Sequence, residues 1–182
     1  MTKLKKLIIS YDTYSWMKYA SGLIITEPHD YMIMVVCKDD RRPILDCEQL
    51  CKDAIYAQRR NDLFTVGKYL KIKKLYNLGC EPDIINVQKL IAQIQLNIML
   101  SQISEIYYSD NIFLNRIFKV FPKGVDVYSF GIIGDRPVEK EIKLSVKNYD
   151  VKRKISDLMI GVNNKREKLY FSYTEKFYKV GV

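Results

Sequence analysis

The stretch IISYDTYSWMKYASG, residues 8–22, joins an apolar run to side chains that could do chemistry. Asp12 offers a carboxylate that could ligate a metal or take a proton. Tyr14 and Ser15 offer hydroxyls, and the flat faces of Tyr14 and Trp16 could stack on a sugar or a base. Ala20, Ser21 and Gly22 follow, small residues of the kind used where a backbone must pass close to another group. The stretch contains no histidine, no pair of acids and no phosphate-binding glycine loop.

Other reactive residues are sparse. His29, the single histidine, sits in the turn EPHD and reads as a surface turn residue. Cys47 and Cys51 lie one helical turn apart, which suits a zinc pair only if two further ligands stand nearby, so the pair reads as a packed helix face. Cys37 and Cys80 complete the four cysteines, which have no disulfide-framework spacing and imply reduced thiols and a cytoplasmic setting. Asp39 and Asp40 are hemmed by Lys38, Arg41 and Arg42 and read as a charge-compensated loop. Gly79, Gly131 and Gly134 match no phosphate-loop spacing.

The chain has 182 residues, 48% hydrophobic and 28% charged, enough for one domain with a sizeable core. No apolar run approaches the ~18 residues of a membrane-spanning helix. The start, MTKLKKLIIS, turns polar at Tyr11 and has no cleavage-site pattern, so it reads as a strand and not as a signal peptide. Net charge is +9, which favours anionic partners, although lysine, tyrosine and isoleucine enrichment also fits an AT-rich genome such as that of a virus or phage. The C-terminal third concentrates the basic residues: Lys147, Lys152, Arg153 and Lys154 on or beside one helix, then Lys165, Arg166 and Lys168 interleaved with aromatics. A basic groove with stacking aromatics is how single strands are held. Fourteen tyrosines equally suit a protein–protein interface.

The elements that must position these groups alternate. Strands are predicted at Leu4–Ser10, Tyr31–Cys37, Ile72–Leu78 (ended by Gly79), Glu105–Ser109 and Val125–Ile133. Glu141–Val146 alternates, and a last strand is predicted at Leu169–Tyr173. Helices are predicted at Trp16–Ile25, Asp46–Leu70, from Asn86 onward, at Asn115–Phe121 and at Tyr149–Met159. The Asp46–Leu70 stripe runs through Leu50, Ala54, Ala57, Leu63, Val66 and Leu70. Such alternation implies a mostly parallel sheet with helices on both faces. Ligands in such sheets sit outside the C-terminal strand ends. The turn after Ser10 and the segment after Ser109, with Asp110 and Asn111, should therefore share one rim. The expectation is a single α/β domain over 1–182, with a βαβ core at 1–121 and a basic strand–helix–strand extension at 122–182.

This order of segments resembles the LmbE/PIG-L family, zinc-dependent de-N-acetylases of sugars and sugar conjugates. The first strand there runs into His-Pro-Asp-Asp-Glu and then small residues; here Asp12-Thr13-Tyr14-Ser15-Trp16 and Ala20-Ser21-Gly22 stand in those places. Arg59, Asp62, Val66 and Leu70-Lys71-Ile72 match a second motif, and Asn115-Arg116 falls where a late histidine is expected. EIKLSVKNYDVKRKI and TEKFYKV resemble the family's late lysine-bearing helix and closing Glu-x-Phe stretch. The resemblance implies a Rossmann-like arrangement. Its metal-ligand positions fall on Asp12, Ser15 and Asn115, its general base on Tyr14, and Asp157-Leu158-Met159 lacks its oxyanion histidine. Trp16, Gly22, Asp110 and Asn111 would line the rim. The implied reading is a non-catalytic member that assigns no metal and no cofactor and binds a protein partner. The alternatives are an amide hydrolase holding a hard metal at Asp12, a nucleic-acid-binding protein, and a rim that takes a small sugar or nucleotide.

Overall fold

The central strands lack the alternation of half-exposed sheets because both their faces are covered. Strand β1 (Lys6–Ser10) is buried from Leu7 onward, and β2 (Tyr31–Cys37) is buried throughout. The computed structural model describes residues 6–27, 31–37, 49–80, 85–131, 136–159 and 171–180. After β1 come α1 (Ser15–Tyr19) and α2 (Ser21–Thr26), then β2, α3 (Gln49–Tyr69), β3 (Lys74–Cys80) and α4 (Val87–Ser101). Next are β4 (Glu105–Ser109), α5 (Ile112–Phe118), β5 (Asp126–Phe130), β6 (Lys140–Lys143), α6 (Val146–Leu158) and β7 (Thr174–Lys179).

The strands form one seven-stranded sheet in the order β3-β2-β1-β4-β5-β7-β6. The first five are parallel, with Ile8 registered on Ile33 and on Tyr107; β7 runs antiparallel to β5, and β6 antiparallel to β7. Helices cover both faces. Leu90 and Ile94 of α4 and Leu114 and Phe118 of α5 pack on Met32, Met34 and Ile106. On the other face Trp16, Leu23, Leu63, Val66 and Ile155 pack on Ile8, Ile33, Tyr107 and Phe130. The chain is therefore an α/β domain with a mostly parallel, mixed sheet.

Several boundaries differ from the sequence reading. The helix expected at Trp16–Ile25 is two short helices broken at Ala20, whose backbone leaves the helical region. The short helix after β4 begins at Ile112 and not at Asn115, because the Asn111 side chain caps it by accepting from the Phe113 N–H. β3 continues through Gly79, whose φ of +59° accommodates the irregular register with β2. The final strand is Thr174–Lys179, later than Leu169–Tyr173, because Glu175 and Phe177 are the inward-facing pair. Leu63, Val66 and Leu70 of α3 are buried as expected, but Ala54 and Ala57 are exposed. His29, Asp39, Asp40, Asp46 and Cys47 lie outside the described residues, as does the Cys51 side chain.

The largest departure concerns Lys152. Its position in phase with Ile155 and Met159 places it on the inward stripe of α6, and it is wholly buried rather than part of a basic surface. Its Nζ lies 2.5 Å from Glu175 Oε1. The same carboxylate accepts from the N–H groups of Gly22 (2.7 Å) and Leu23 (3.3 Å), at the start of α2. Burial pushes the Glu175 carboxyl above its ordinary value, opposed by Lys152 and the two N–H donors. Gly22 is small for a direct reason: a Cβ there would lie 2.7 Å from the Glu175 carboxyl carbon.

Removing one member of a buried ion pair leaves an uncompensated charge, a loss of about 3–5 kcal/mol. Lys152→Met should therefore lose about that much stability in urea unfolding. The double variant Lys152→Met/Glu175→Gln should be less destabilised than the single one. Gly22→Ala should also lower the melting temperature, because the carboxylate must move off the α2 N–H groups.

Candidate functional site

The strand order reverses direction between β1 and β4, and the crevice outside their C-terminal ends is where an α/β sheet takes a ligand. Tyr11–Tyr14 and Asp110–Asn111 leave the sheet there. The two strand ends are tied together, with the Tyr11 N–H donating to Ser109 Oγ at 2.8 Å. The Tyr11 side chain is only 6% exposed and packs against the Phe113 ring, centroids 6.4 Å apart, so it occupies the switch point itself. The Cys37 N–H donates to the Tyr11 carbonyl at 2.8 Å, fixing the end of β2 to the same turn.

Asp12 is engaged on both carboxylate oxygens. Oδ1 accepts from the N–H groups of Tyr14 and Ser15, each at 2.8 Å, and Oδ2 accepts from Ser15 Oγ at 2.5 Å. This is the local bonding by which an aspartate closes a turn before a helix. Ser10 Oγ donates to the Asp12 carbonyl at 2.6 Å and stiffens the turn from below. The Tyr14 hydroxyl donates to Asp62 Oδ2 at 3.0 Å, and Asp62 is fully buried. Arg59 stands beside Tyr14 and Asp12; burial pulls its guanidinium below the ordinary value while both neighbours push the other way. The two motif positions on α3, Arg59 and Asp62, thus meet the first turn.

Asn115 belongs to a second cluster. Its Oδ1 accepts from the Tyr108 hydroxyl at 2.9 Å, and its Nδ2 donates to Asp110 Oδ1 at 2.7 Å. Burial raises the Tyr108 hydroxyl to about 12, so it remains a proton donor at neutral pH, with Arg136 close enough to oppose the shift. Asp110 is anchored by its N–H to the Phe130 carbonyl at 2.7 Å. Asn111 is the cap of α5 and not a ligand-facing group.

The rim assignments divide accordingly. Asp12, Tyr14 and Ser15 come together, Asp110 and Asn115 come together, and Tyr11 and Ser109 link the two sets. Trp16 is fully buried in the core beneath α1, so its ring is not available to stack on a ligand. Gly22 faces Glu175 in the interior and not the rim. Of the basic set, Lys147, Arg153 and Lys154 are exposed, Lys152 is inside, and Lys165, Arg166 and Lys168 lie outside the described residues. Asp62 belongs to a motif the sequence shows, whereas the parts of Tyr11, Ser109 and Glu175 are not evident from sequence. Tyr11 and Ser109 carried a usable signal, as the last or next residues of the two strands flanking the reversal.

A catalytic zinc site needs three good ligands, usually imidazoles or carboxylates, and an open position. The residues at the matching positions are one carboxylate with both oxygens bonded, a hydroxyl donating to it, and an amide whose oxygen holds a tyrosine hydroxyl. That set does not fit zinc. Among the described residues no group of three His, Cys, Asp or Glu side chains is arranged to hold a metal ion. A cavity of about 520 Å³ opens between Lys18 and Tyr19 of α1, Gly131 at the end of β5 beside Asp110, and Thr174 and Lys176 of β7.

If Asp12 closes the turn, Asp12→Ala should cost about 1–2 kcal/mol in equilibrium unfolding, the usual loss for a cap or a turn-closing acceptor. Asn115→Ala should cost a similar amount, since the Tyr108 hydroxyl and the Asp110 carboxylate each lose a partner. A pure metal ligand would instead leave stability unchanged or improve it when removed.

The sequence matches no family model and no curated protein. Solved structures match along nearly the whole length. A teicoplanin-biosynthesis deacetylase in complex with teicoplanin is 10% identical, covers 96% of this chain and 97% of its own, and has a TM-score of 0.67. The N,N'-diacetylchitobiose deacetylase of Pyrococcus horikoshii is 11% identical over 97% of this chain and 84% of its own, with a TM-score of 0.68. The 4-carboxy-2-hydroxymuconate hydratase GalB of Pseudomonas putida KT2440 is 14% identical over 98% and 97%, with a TM-score of 0.62. No described helix is long and apolar enough to cross a membrane. The chain has the fold of the LmbE/PIG-L-type deacetylases.

Proposed function

We propose that this chain is a non-catalytic protein on the deacetylase fold, serving as a binding or structural subunit of a larger assembly. One observation carries the reading. Where the resemblance places metal ligands and a base, Asp12, Ser15, Asn115 and Tyr14 are bonded to each other or to neighbouring buried groups. A hydrolytic metal site keeps its ligand atoms deprotonated and aimed at one point. Here the carboxylate serves the backbone of its own turn, and the would-be base is a tyrosine hydroxyl that donates its proton to Asp62.

The fold itself does not decide the reaction, since a hydratase shares it with deacetylases. What remains for function is surface. Fourteen tyrosines and a net charge of +9 suit a protein partner. Nucleic acid is the runner-up; its basic face retains Lys147, Arg153 and Lys154 but not Lys152.

The test is elemental analysis of untagged protein purified without chelator, with an assay on N-acetylglucosamine conjugates. Zinc far below one equivalent per chain and no turnover are expected. Zinc near one equivalent, together with hydrolysis abolished in Asp12→Asn, would overturn the reading. Binding to single-stranded DNA that weakens steeply with salt would transfer the function to the basic face.

A further inference from the structure

The cavity beside Gly131 exists because two strands part. β5 and β7 are registered at Tyr128 with Lys179 and at Ser129 with Tyr178. Beyond that pair β7 is registered on β6, with Lys176 opposite Glu141 and Thr174 opposite Lys143. The space past the end of the β5–β7 ladder is the cavity of about 520 Å³. Thr174, Lys176 and Tyr178, alternate residues of β7, line one wall, and Lys18 and Tyr19 of α1 line another. Small-molecule sites occupy roughly 300–1,000 Å³, so the space suits an organic molecule more than a bare ion.

The partners of its charged groups decide the sign of the cavity. Two carboxylates line it, Glu141 and Glu175, and two lysines, Lys18 and Lys176. Glu175 is neutralised by Lys152, and the Gly22 and Leu23 N–H groups bond to it as well. Glu141 is met by Lys143 at 3.4 Å. Among the described residues no carboxylate stands within ion-pair distance of Lys18 or Lys176. The Lys18 ammonium instead lies 5.0 Å from the centre of the Tyr19 ring. Each acid is cancelled by a lysine that does not line the cavity, and two cations are left facing it. The hydroxyls of Ser172 and Thr174 add neutral donors.

We propose that this cavity binds a small organic phosphomonoester, its phosphoryl group held by Lys18 and Lys176 and its organic body against Tyr19 and Tyr178. Two uncompensated cations match a group that carries nearly two negative charges at neutral pH. A monocarboxylate would leave one of them unmet. Lysine serves phosphate as a point charge, and hydroxyl donors complete the oxygen shell. The tyrosine rings give an apolar wall for the body of the ligand. The inference does not rest on the loss of catalysis, since an active hydrolase would hold the same anion.

The test is calorimetric titration of the full chain, at physiological ionic strength, with adenosine 5′-monophosphate and glucose 6-phosphate, and separately with adenosine, glucose and succinate. Both phosphomonoesters should bind at one site per chain, and their unphosphorylated parents should not. Lys18→Ala and Lys176→Ala should each weaken binding by roughly tenfold or more, the loss of one charge-assisted contact. The melting temperature of the ligand-free variants should stay unchanged, because neither lysine gives up an ion pair. Lys147→Ala, on the exposed side of α6, should leave binding unchanged. Neither phosphomonoester binding at millimolar concentration would overturn the proposal, as would parents that bind as tightly. Succinate binding as tightly would reassign the cavity to dicarboxylates. Equal weakening by Lys147→Ala would mean diffuse attraction to a chain of net charge +9 and would overturn it too. None of these outcomes bears on metal content or hydrolysis.

Discussion

The buried pair of Lys152 and Glu175 is the constraint around which the rest of the helical face is arranged. A lysine and a glutamate, both without solvent, can coexist in a core only if each has a partner and the carboxylate's other lone pairs are met. The Gly22 and Leu23 N–H groups meet them, which fixes the start of α2 against β7. That contact accounts for the break at Ala20 between two short helices and for the absence of a side chain at Gly22. It also draws α6 over the sheet, so that Ile155 and Met159 join Trp16, Leu23 and Phe177 in one cluster. Elements distant in sequence, at residues 22, 152 and 175, are held by one set of charge-assisted bonds.

With α1 and α2 fixed from below, the turn between β1 and α1 is constrained at both ends, and its polar groups satisfy one another. Asp12 holds the Tyr14 and Ser15 N–H groups, Tyr14 reaches Asp62 on α3, and Tyr11 bonds across to Ser109. Around β4 the Tyr108–Asn115–Asp110 chain does the same. The crevice that an α/β sheet offers a ligand thus keeps its position in the fold while its polar side chains bond to one another and to their own turns. Scaffold and site are separable: the TM-scores of 0.67 and 0.68 against two deacetylases describe the scaffold alone.

Much of this was legible in the sequence, because periodicity and strand order report backbone organisation directly. The uninterrupted run YMIMVVC announced a strand covered on both faces, and Asn86 announced the cap of α4, whose side chain accepts from the Lys89 N–H at 2.9 Å. The small residues at 20–22 announced a close approach, though not that its object was Glu175. Lys152 was misread because a lysine within VKRK looks like surface, while the phase it shares with Ile155 and Met159 was the better guide. Trp16 was misread in the same way, its residue type outweighing its position one helical turn before the buried Ala20. Pairings such as Tyr11 with Ser109 or Tyr14 with Asp62 join residues far apart in sequence, and no local pattern encodes them.

The most direct test of the central claim, that the ligand positions are now structural, is thermal unfolding of the untagged chain across a zinc titration. A metal that binds only the folded state raises the melting temperature in proportion to the logarithm of its excess over the dissociation constant. The account requires a melting temperature that does not rise with zinc, in the wild type and in Asp12→Ala alike. A rise that grows with zinc concentration and disappears in Asp12→Ala would contradict it.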